Sequence, residues 1–352
     1  MNHPVDFVLL WVDGADPAWR AEKRRWEAAA GIVGAEADNG LGEEANGEIR
    51  YRDQGLLRYW FRAVERYAPW VRRVFFVTCG QRPAWLDETC PKLRLVNHDE
   101  FMPADCLPTF NSNAIHFFLH RIPDLAERFV LFDDDMFLLR PVEPGLYFRS
   151  GLPVLSATLR LPRWKGDTLW NRTLWDNTYE VNVHLDVARG IRENARKWFN
   201  PFLLGPRLAL GNFARFLLNA NLPCSPFGHL PYPHLKSTFG EVWRHCPETL
   251  QRTVRERFRT PGQVTQWLVL SWNQATGRFH PKPDHWRDGV FNVSRRGLER
   301  ILGAVRSPVR SQACFQESPG ESGLASCFAE LRKAFGERLP ERSSFERNLP
   351  AP

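Results

Sequence analysis

The sequence predicts an α/β fold built on a largely parallel sheet, with a mainly helical insertion after residue 149. Three observations carry this expectation. Short apolar runs ending at Val12, Thr78, Asn97 and Asp133 alternate with segments of helical period, the pattern of strands joined by helices. No Gly-x-Gly-x-x-Gly follows the first run, so the usual dinucleotide-binding variant is not indicated. Residues 150–225 then change character, with many Trp, Arg and Asn and few strand-like runs, and read as a helical insertion or cap. On this division 1–149 form the α/β core and 226–352 complete the site.

Each element has its own local signature. Residues 5–12 read as the first strand, leaving through Trp11-Val12-Asp13-Gly14-Ala15-Asp16-Pro17, a turn into a helix over 17–30. Residues 31–48, rich in Gly, Ala, Glu and Asn, read as a surface loop. A helix over 54–67 is expected from apolar positions at Leu56, Leu57, Trp60, Phe61 and Val64, with Asp53 as its cap. Arg73 to Thr78 and Lys92 to Asn97 read as the second and third strands. Asn111 or Ser112 caps a helix reaching about His120, and Phe129 to Asp133 is the fourth strand. Further helices are expected over 264–275 and 323–336.

Composition narrows the function. With 352 residues, 43% of them hydrophobic, the chain can bury a proper core. No apolar run approaches the ~20 residues of a membrane span. The first run lacks a preceding basic region and reads as a strand, not a signal peptide. The seven cysteines are scattered, without zinc or redox spacing, so a reducing, cytoplasmic location is expected. A net charge of +7 leaves nucleic acid, an anionic membrane surface or anionic small substrates as partners. The arginines are spread along the chain and not gathered into an arm, which argues against nucleic acid.

The chemistry gathers in a few segments. Asp133-Asp134-Asp135 ends the apolar run Phe129 to Phe132, so a buried strand delivers three carboxylates to the rim of the sheet. Their mutual repulsion is resolved by a hard divalent cation with oxygen ligands, bridging to phosphate. The plain alternative is an acidic turn between two hairpin strands. Trp11, Asp13 and Gly14 at the first strand exit suit contacts to a nucleotide, or form an ordinary turn. Arg52, Gln81, Asn111 and Ser112 sit at element junctions, where polar groups contact sugar or phosphate, or cap helices. His229 and His234 are held among prolines, and a neutral imidazole there can deprotonate an acceptor hydroxyl. Arg215, Arg257 and Arg259 are candidates to stabilise charge on a transferred group, or surface ion-pair formers.

Taken in order, these segments resemble the Stealth family. It comprises hexose-1-phosphate transferases of bacterial capsule synthesis and includes the Golgi N-acetylglucosamine-1-phosphotransferase. The first of its four blocks resembles Phe7 to Pro17. The second resembles Arg50 to Val142, through Arg50-Tyr51-Arg52-Asp53, Gly80-Gln81-Arg82-Pro83, Leu107-Pro108-Thr109-Phe110-Asn111-Ser112 and Phe132-Asp133-Asp134-Asp135. The third resembles Gly228 to about Gly277, and Pro340 to Glu346 resembles the tail of the fourth. Where the fourth usually carries Cys-aliphatic-Asn-Asp, this chain has Cys314-Phe315-Gln316-Glu317, each polar side chain one methylene longer.

The resemblance implies a Rossmann-like core of the GT-A type. The implied reaction moves a sugar-1-phosphate from a nucleotide diphosphate sugar, UDP-linked, to a hydroxyl of a saccharide acceptor, releasing a nucleoside monophosphate. Asp133, Asp135 and Glu317 would hold Mg²⁺ or Mn²⁺, with Asp135 also catalytic. His229 would be the base, Arg215 and Arg259 would stabilise the transferred group, and Trp11, Asp13, Gly14, Arg52, Gln81, Asn111, Ser112 and His234 would bind substrate. No nucleic-acid partner is implied, and peripheral association with the inner face of the cytoplasmic membrane is a further expectation. Two alternatives stand beside it: a glycosyltransferase releasing a nucleoside diphosphate, and a non-catalytic carbohydrate-binding protein on the same scaffold.

Overall fold

The computed structural model describes residues 3–32, 46–160, 168–218, 228–283, 289–317 and 323–347. Its strands, in chain order, are β1 (Val5–Leu10), β2 (Val74–Thr78), β3 (Leu93–Asn97), β4 (Arg128–Phe132), β5 (Met136–Leu138), β6 (Phe148–Arg149), β7 (Leu152–Ser156), β8 (Tyr232–Leu235), β9 (His280–Lys282), β10 (Val290–Val293) and β11 (Gln312–Glu317). The main sheet has the order β3-β2-β1-β4-β8. Its first four strands are parallel, and β8 closes the edge antiparallel to β4. This is the Rossmann-like arrangement expected of a GT-A core. Every residue of β1 and β2 is buried, because helices cover both faces of the sheet.

The helix Leu57–Tyr67 supplies one of those covers, burying Leu57, Trp60, Phe61, Ala63, Val64 and Tyr67. It starts three residues later than the sequence suggests. Asp53 Oδ1 accepts from the Gly55 amide at 2.7 Å, and Gly55 turns through φ +69°, so Asp53 caps a turn before the helix and not the helix itself. The helix at 264–275 also begins three residues late, at Trp267. Thr265 is held outside it by the Asn177 side chain, which accepts from its amide at 3.0 Å. The expected loop over 31–48 lies mostly outside the described residues; its last residues enter a short 3₁₀ turn, Glu48–Arg50.

Two further sheets alter the reading of the middle of the chain. Strand β5 does not pair back onto β4. It runs antiparallel to β11, which runs parallel to β10. The three aspartates therefore form the passage from one sheet to another, and the hairpin-turn alternative is excluded. Residues 150–225 open on β7, a strand the sequence did not reveal because Pro153 interrupts its short apolar run. It pairs with β6 and β9. From Leu169 to Leu218 the described segments are helical, as expected of this stretch. No helix among the described residues is long and apolar enough to cross a membrane.

Three histidines are built into this core as neutral side chains. Burial lowers His98 and His120 to about 4 and His234 to about 3. Because these values lie below the unfolded value near 6.5, the unfolded chain binds more protons in acid. Their contribution is complete above about pH 6.5 and is lost as pH falls toward 4. Each is expected to cost about 2–3 kcal/mol by pH 4.5, so the melting temperature should fall by about ten degrees between pH 7 and pH 4.5. His234→Gln should flatten that slope in a calorimetric series.

Candidate active site

The strand order reverses at β1: the chain builds outward to β2 and β3, then returns to place β4 on the other side. In open sheets, ligands bind in the crevice at the carboxyl ends of the strands flanking such a point. From β1 that crevice receives the Asp13–Asp16 loop, and from β4 it receives Asp133, Asp134 and Asp135.

The acidic passage is bent by two backbone bonds. The Met136 amide donates to the Asp133 carbonyl at 3.1 Å, and the Phe315 amide donates to the Asp135 carbonyl at 2.9 Å. The second bond brings Cys314 against Asp135. His229 enters from the segment leading into β8. Its Nε2 lies 3.3 Å from Asp135 Oδ2 and 3.7 Å from Asp133 Oδ2. Its Nδ1 is 3.1 Å from Tyr232 Oη, which fixes the ring. The ligand-bearing atoms of Asp135, His229 and Cys314 all lie within 4.8 Å of one another.

The electrostatics follow from this packing. Burial opposes the charged form of His229, but the Asp135 and Asp133 carboxylates outweigh it and lift the imidazole to about 9. His229 is thus a cation at neutral pH, where the sequence suggested a neutral base. Burial likewise opposes ionisation of Asp135, yet the His229 charge holds it below the usual carboxylate value. Asp133 is raised, by burial first. Asp134 is raised well above normal by burial and by repulsion from Asp135, Asp133 and Asp53. One imidazolium does not neutralise this group, and burial together with the neighbouring carboxylates disfavours the charged form of Asp134.

A second basic group converges from the segment before Thr260. Arg259 Nη2 donates to Ser112 Oγ at 2.7 Å, and its positive charge acts on Asp133. Asn111 holds this segment. Its Nδ2 donates to the Glu256 carbonyl at 3.0 Å and to Gln263 Oε1 at 3.1 Å, and its Oδ1 accepts from the Asn113 amide. Phe110 stacks on Phe258 at 5.2 Å. Asn111 is fully buried, so it positions Arg259 and does not present itself to substrate, correcting the sequence reading.

On the β1 side a cavity of about 580 Å³ is lined by residues that include Gly14, Trp19, Arg20, Lys23, Arg52 and Asp53. Gly14 and Arg52 were expected from the sequence to line such a site. Gly14 is required by a close approach: its amide donates to the Tyr51 carbonyl at 2.8 Å, and a Cβ would stand 2.2 Å from that oxygen. Gln81 clamps the loop below. Its Oε1 accepts from the Asp13 amide at 2.8 Å, and its Nε2 donates to the Asp13 carbonyl at 2.9 Å and to Asp16 Oδ2 at 3.1 Å. It is therefore a positioning residue for Asp13, not a free donor for substrate.

Other expected residues are placed elsewhere. Trp11 is buried against Phe76, with ring centroids 5.6 Å apart, and forms a wall beneath the crevice. His234 is buried within β8, stacked on Phe129, with Nε2 3.0 Å from Gln266 Oε1. It cannot reach substrate. Glu317 is drawn away from the aspartates: it accepts from Gln54 Nε2 and pairs with Arg52 Nη1 at 3.3 Å. Arg215 lies on the helix Pro206–Leu218, its guanidinium folded over Gly211. Among the described residues no hydrogen bond or ion pair joins it to the acidic cluster.

The structure also brings in residues to which the sequence reading gave no role of their own. His116 is buried, its Nε2 3.9 Å from Asp133 Oδ1, and burial keeps it neutral, at about 3. Neither ring nitrogen has a hydrogen-bond partner among the described residues. Tyr232 and Cys314 complete the wall. Tyr232 lies within the proline-rich segment that flags His229, which was the available signal. Burial raises the Cys314 thiol well above its usual value, and Asp135 adds to the effect, so it stays protonated.

Comparison with known proteins identifies the family of this chain. The model of Stealth conserved region 2 matches residues 50–154, and that of conserved region 1 matches residues 3–31. These spans hold the Asp13 loop, Ser112 and the acidic passage. The chain is 33% identical to the capsular polysaccharide phosphotransferase WcwK of Streptococcus pneumoniae, over 99% of this chain and 100% of that protein. It is 34% identical to the receptor polysaccharide phosphotransferase WefC of Streptococcus oralis, over 97% and 99%. It is 31% identical to the exopolysaccharide phosphotransferase cps2G of Lactiplantibacillus plantarum, over 97% and 96%. With likeness of this extent along both lengths, the chain belongs to the Stealth family.

Proposed function

We propose that this chain transfers a hexose-1-phosphate from a nucleotide diphosphate sugar to a hydroxyl of a saccharide acceptor, in capsular or exopolysaccharide synthesis. The acceptor oxygen forms a bond to the phosphorus that bears the sugar. The bond from that phosphorus to the bridging oxygen breaks, and a nucleoside monophosphate leaves with the electron pair. The product is a phosphodiester. The observation that carries this reading is the pairing of Asp133 and Asp135 with His229, beside Arg259, at the switch point of the sheet.

Phosphoryl transfer asks a protein mainly for alignment and charge stabilisation. His229 acts as base in the fraction of molecules in which it is neutral: Nε2 takes the acceptor proton, the two carboxylates hold the resulting imidazolium, and turnover rises as pH approaches about 9. Tyr232 keeps the ring in register. Arg259, set by Ser112, places positive charge over the transferred group. The cavity bounded by Gly14, Trp19 and Arg52 has the size of a nucleotide site, and Asp13, next to Gly14 in the chain, is a polar contact for a UDP-linked donor.

The residues present fit a hard divalent cation, Mg²⁺ or Mn²⁺. Asp135 Oδ1 is buried without a hydrogen-bond partner among the described residues, and burial together with the neighbouring carboxylates raises Asp134. Asp133 and Asp135 would hold the ion, and Glu317, tied to Gln54 and Arg52, is left out of that set. When bound there, the cation neutralises charge on the diphosphate. The acceptor is a saccharide hydroxyl, and the protein works in the cytoplasm, peripheral to the membrane.

The test is the identity of the small product. Incubation with UDP-sugars, a saccharide acceptor and Mg²⁺ should yield UMP in step with acceptor consumed, resolved by ion-exchange chromatography. Release of UDP would assign the chain to ordinary glycosyl transfer.

A further inference from the structure

The helices Pro201–Leu204 and Pro206–Leu218 carry apolar side chains on two opposite sides. One side faces the protein: Leu204, Ala209 and Asn212 are buried, and Leu208 and Phe216 pack against the core. Asn212 fixes the rotation of the longer helix. Its Oδ1 accepts from the Leu159 amide at 2.9 Å, and its Nδ2 donates to the carbonyls of Ala157 at 2.6 Å and Trp198 at 2.8 Å. With that side pinned inward, Leu210, Phe213 and Leu217 must point outward at spacings of three and four. Leu210 is 70% exposed, Leu217 69%, Leu218 77% and Phe202, on the shorter helix, 96%. A soluble helix normally offers polar residues there, and a contiguous apolar patch rimmed by polar groups marks a contact surface.

Charge identifies the partner. Between Asn194 and Leu218 the chain has no Asp or Glu, but it has Arg196, Lys197, Arg207 and Arg215. Lys197 donates to the Gly277 carbonyl, whereas Arg196 and Arg207 are exposed, Arg207 on the same helix as Leu210, Phe213 and Leu217. Exposed Leu and Phe bordered by arginine and free of acid is the composition of a helix lying in the interface of an anionic bilayer. The absence of acidic residues along this stretch favours an anionic leaflet over a protein partner.

We propose that the Pro201–Leu218 face docks this protein onto a membrane leaflet rich in anionic phospholipid, with Phe202, Leu210, Phe213 and Leu217 entering the interface and Arg196 and Arg207 contacting headgroup phosphates. This gives a specific surface to the peripheral location proposed above and rests on that reading. It does not depend on the transfer chemistry.

The test uses the full chain in vesicle flotation. Vesicles of phosphatidylcholine with about one third phosphatidylglycerol should retain the protein, and pure phosphatidylcholine vesicles should retain at least tenfold less. The double substitution Leu210→Glu/Leu217→Glu, at exposed positions, should reduce retention at least tenfold without changing the melting temperature. Its turnover on a soluble acceptor should equal that of the natural chain, so loss of docking and loss of catalysis are read separately. Equal retention of the double variant, or no retention of the natural chain on anionic vesicles, overturns the proposal. Absence of vesicle binding with concentration-dependent dimerisation in sedimentation velocity, abolished by the same double variant, also overturns it and assigns the face to a second copy of the chain.

Discussion

Replacing Asp133 and Asp135 together by asparagine is expected to lower turnover at least a thousandfold while leaving the fold intact. The side chains change little in volume, so packing is kept. The loss is of the negative charge that pairs with His229 and that, in the proposed reaction, holds a divalent cation. Removing a single preorganised charge contact in an active site commonly costs about a hundred- to a thousandfold, and this pair provides more than one. The stability change should be small, because two effects oppose. The double variant loses the ion pair to His229, but it also relieves the repulsion that adds to burial in raising Asp134. Steady-state rates and melting curves together check this. Full turnover in the double variant would remove the two carboxylates from the chemistry, whereas no turnover by the natural chain, with sugar binding unchanged in the double variant, would return it to the carbohydrate-binding reading.

The second large effect is expected at His229. His229→Ala should lower kcat by about a hundred- to ten-thousandfold, the usual worth of a positioned acid–base group, with KM for the donor changed far less. The ring sits between the carboxylates and Tyr232 and lines none of the cavity beside Gly14, so donor binding should survive its loss. The variant should also melt at a lower temperature at pH 6, because Asp133 and Asp135 then face each other without a cation. The sign comes from the raised imidazole: its stabilising contribution is complete below about pH 6.5 and disappears as pH rises through about 9. The melting difference between natural chain and variant should therefore shrink toward pH 9.

The central sheet was legible in the sequence because its strands are buried on both faces and read as unbroken apolar runs. The acidic passage was legible for the same reason: Phe129 to Phe132 marks a strand, and the residues just past its carboxyl end must lie at the rim. Contacts made by distant pairing were not. Cys314 meets Asp135 only because β11 pairs with β5, and no local pattern announces that register. His116 looks like any helix residue until its helix packs behind Asp133. The reverse error has a physical cause too. Asn111 and Gln81 occupy junctions where substrate contacts and structural clamps use the same amide group, and only burial and bond partners distinguish them. Glu317 occupies the place where the family pattern carries a shorter side chain, and here its carboxylate reaches Gln54 and Arg52.

The reaction itself is tested most directly by the fate of one phosphorus. A UDP-sugar labelled with ³²P in the phosphate adjoining the sugar is incubated with enzyme, Mg²⁺ and saccharide acceptor, and products are separated by charge. Cleavage between the two phosphorus atoms predicts that the label moves to the acceptor as a phosphodiester and that the uridine nucleotide leaves unlabelled as UMP. Label retained on UDP, with unlabelled sugar joined to the acceptor, would contradict the account.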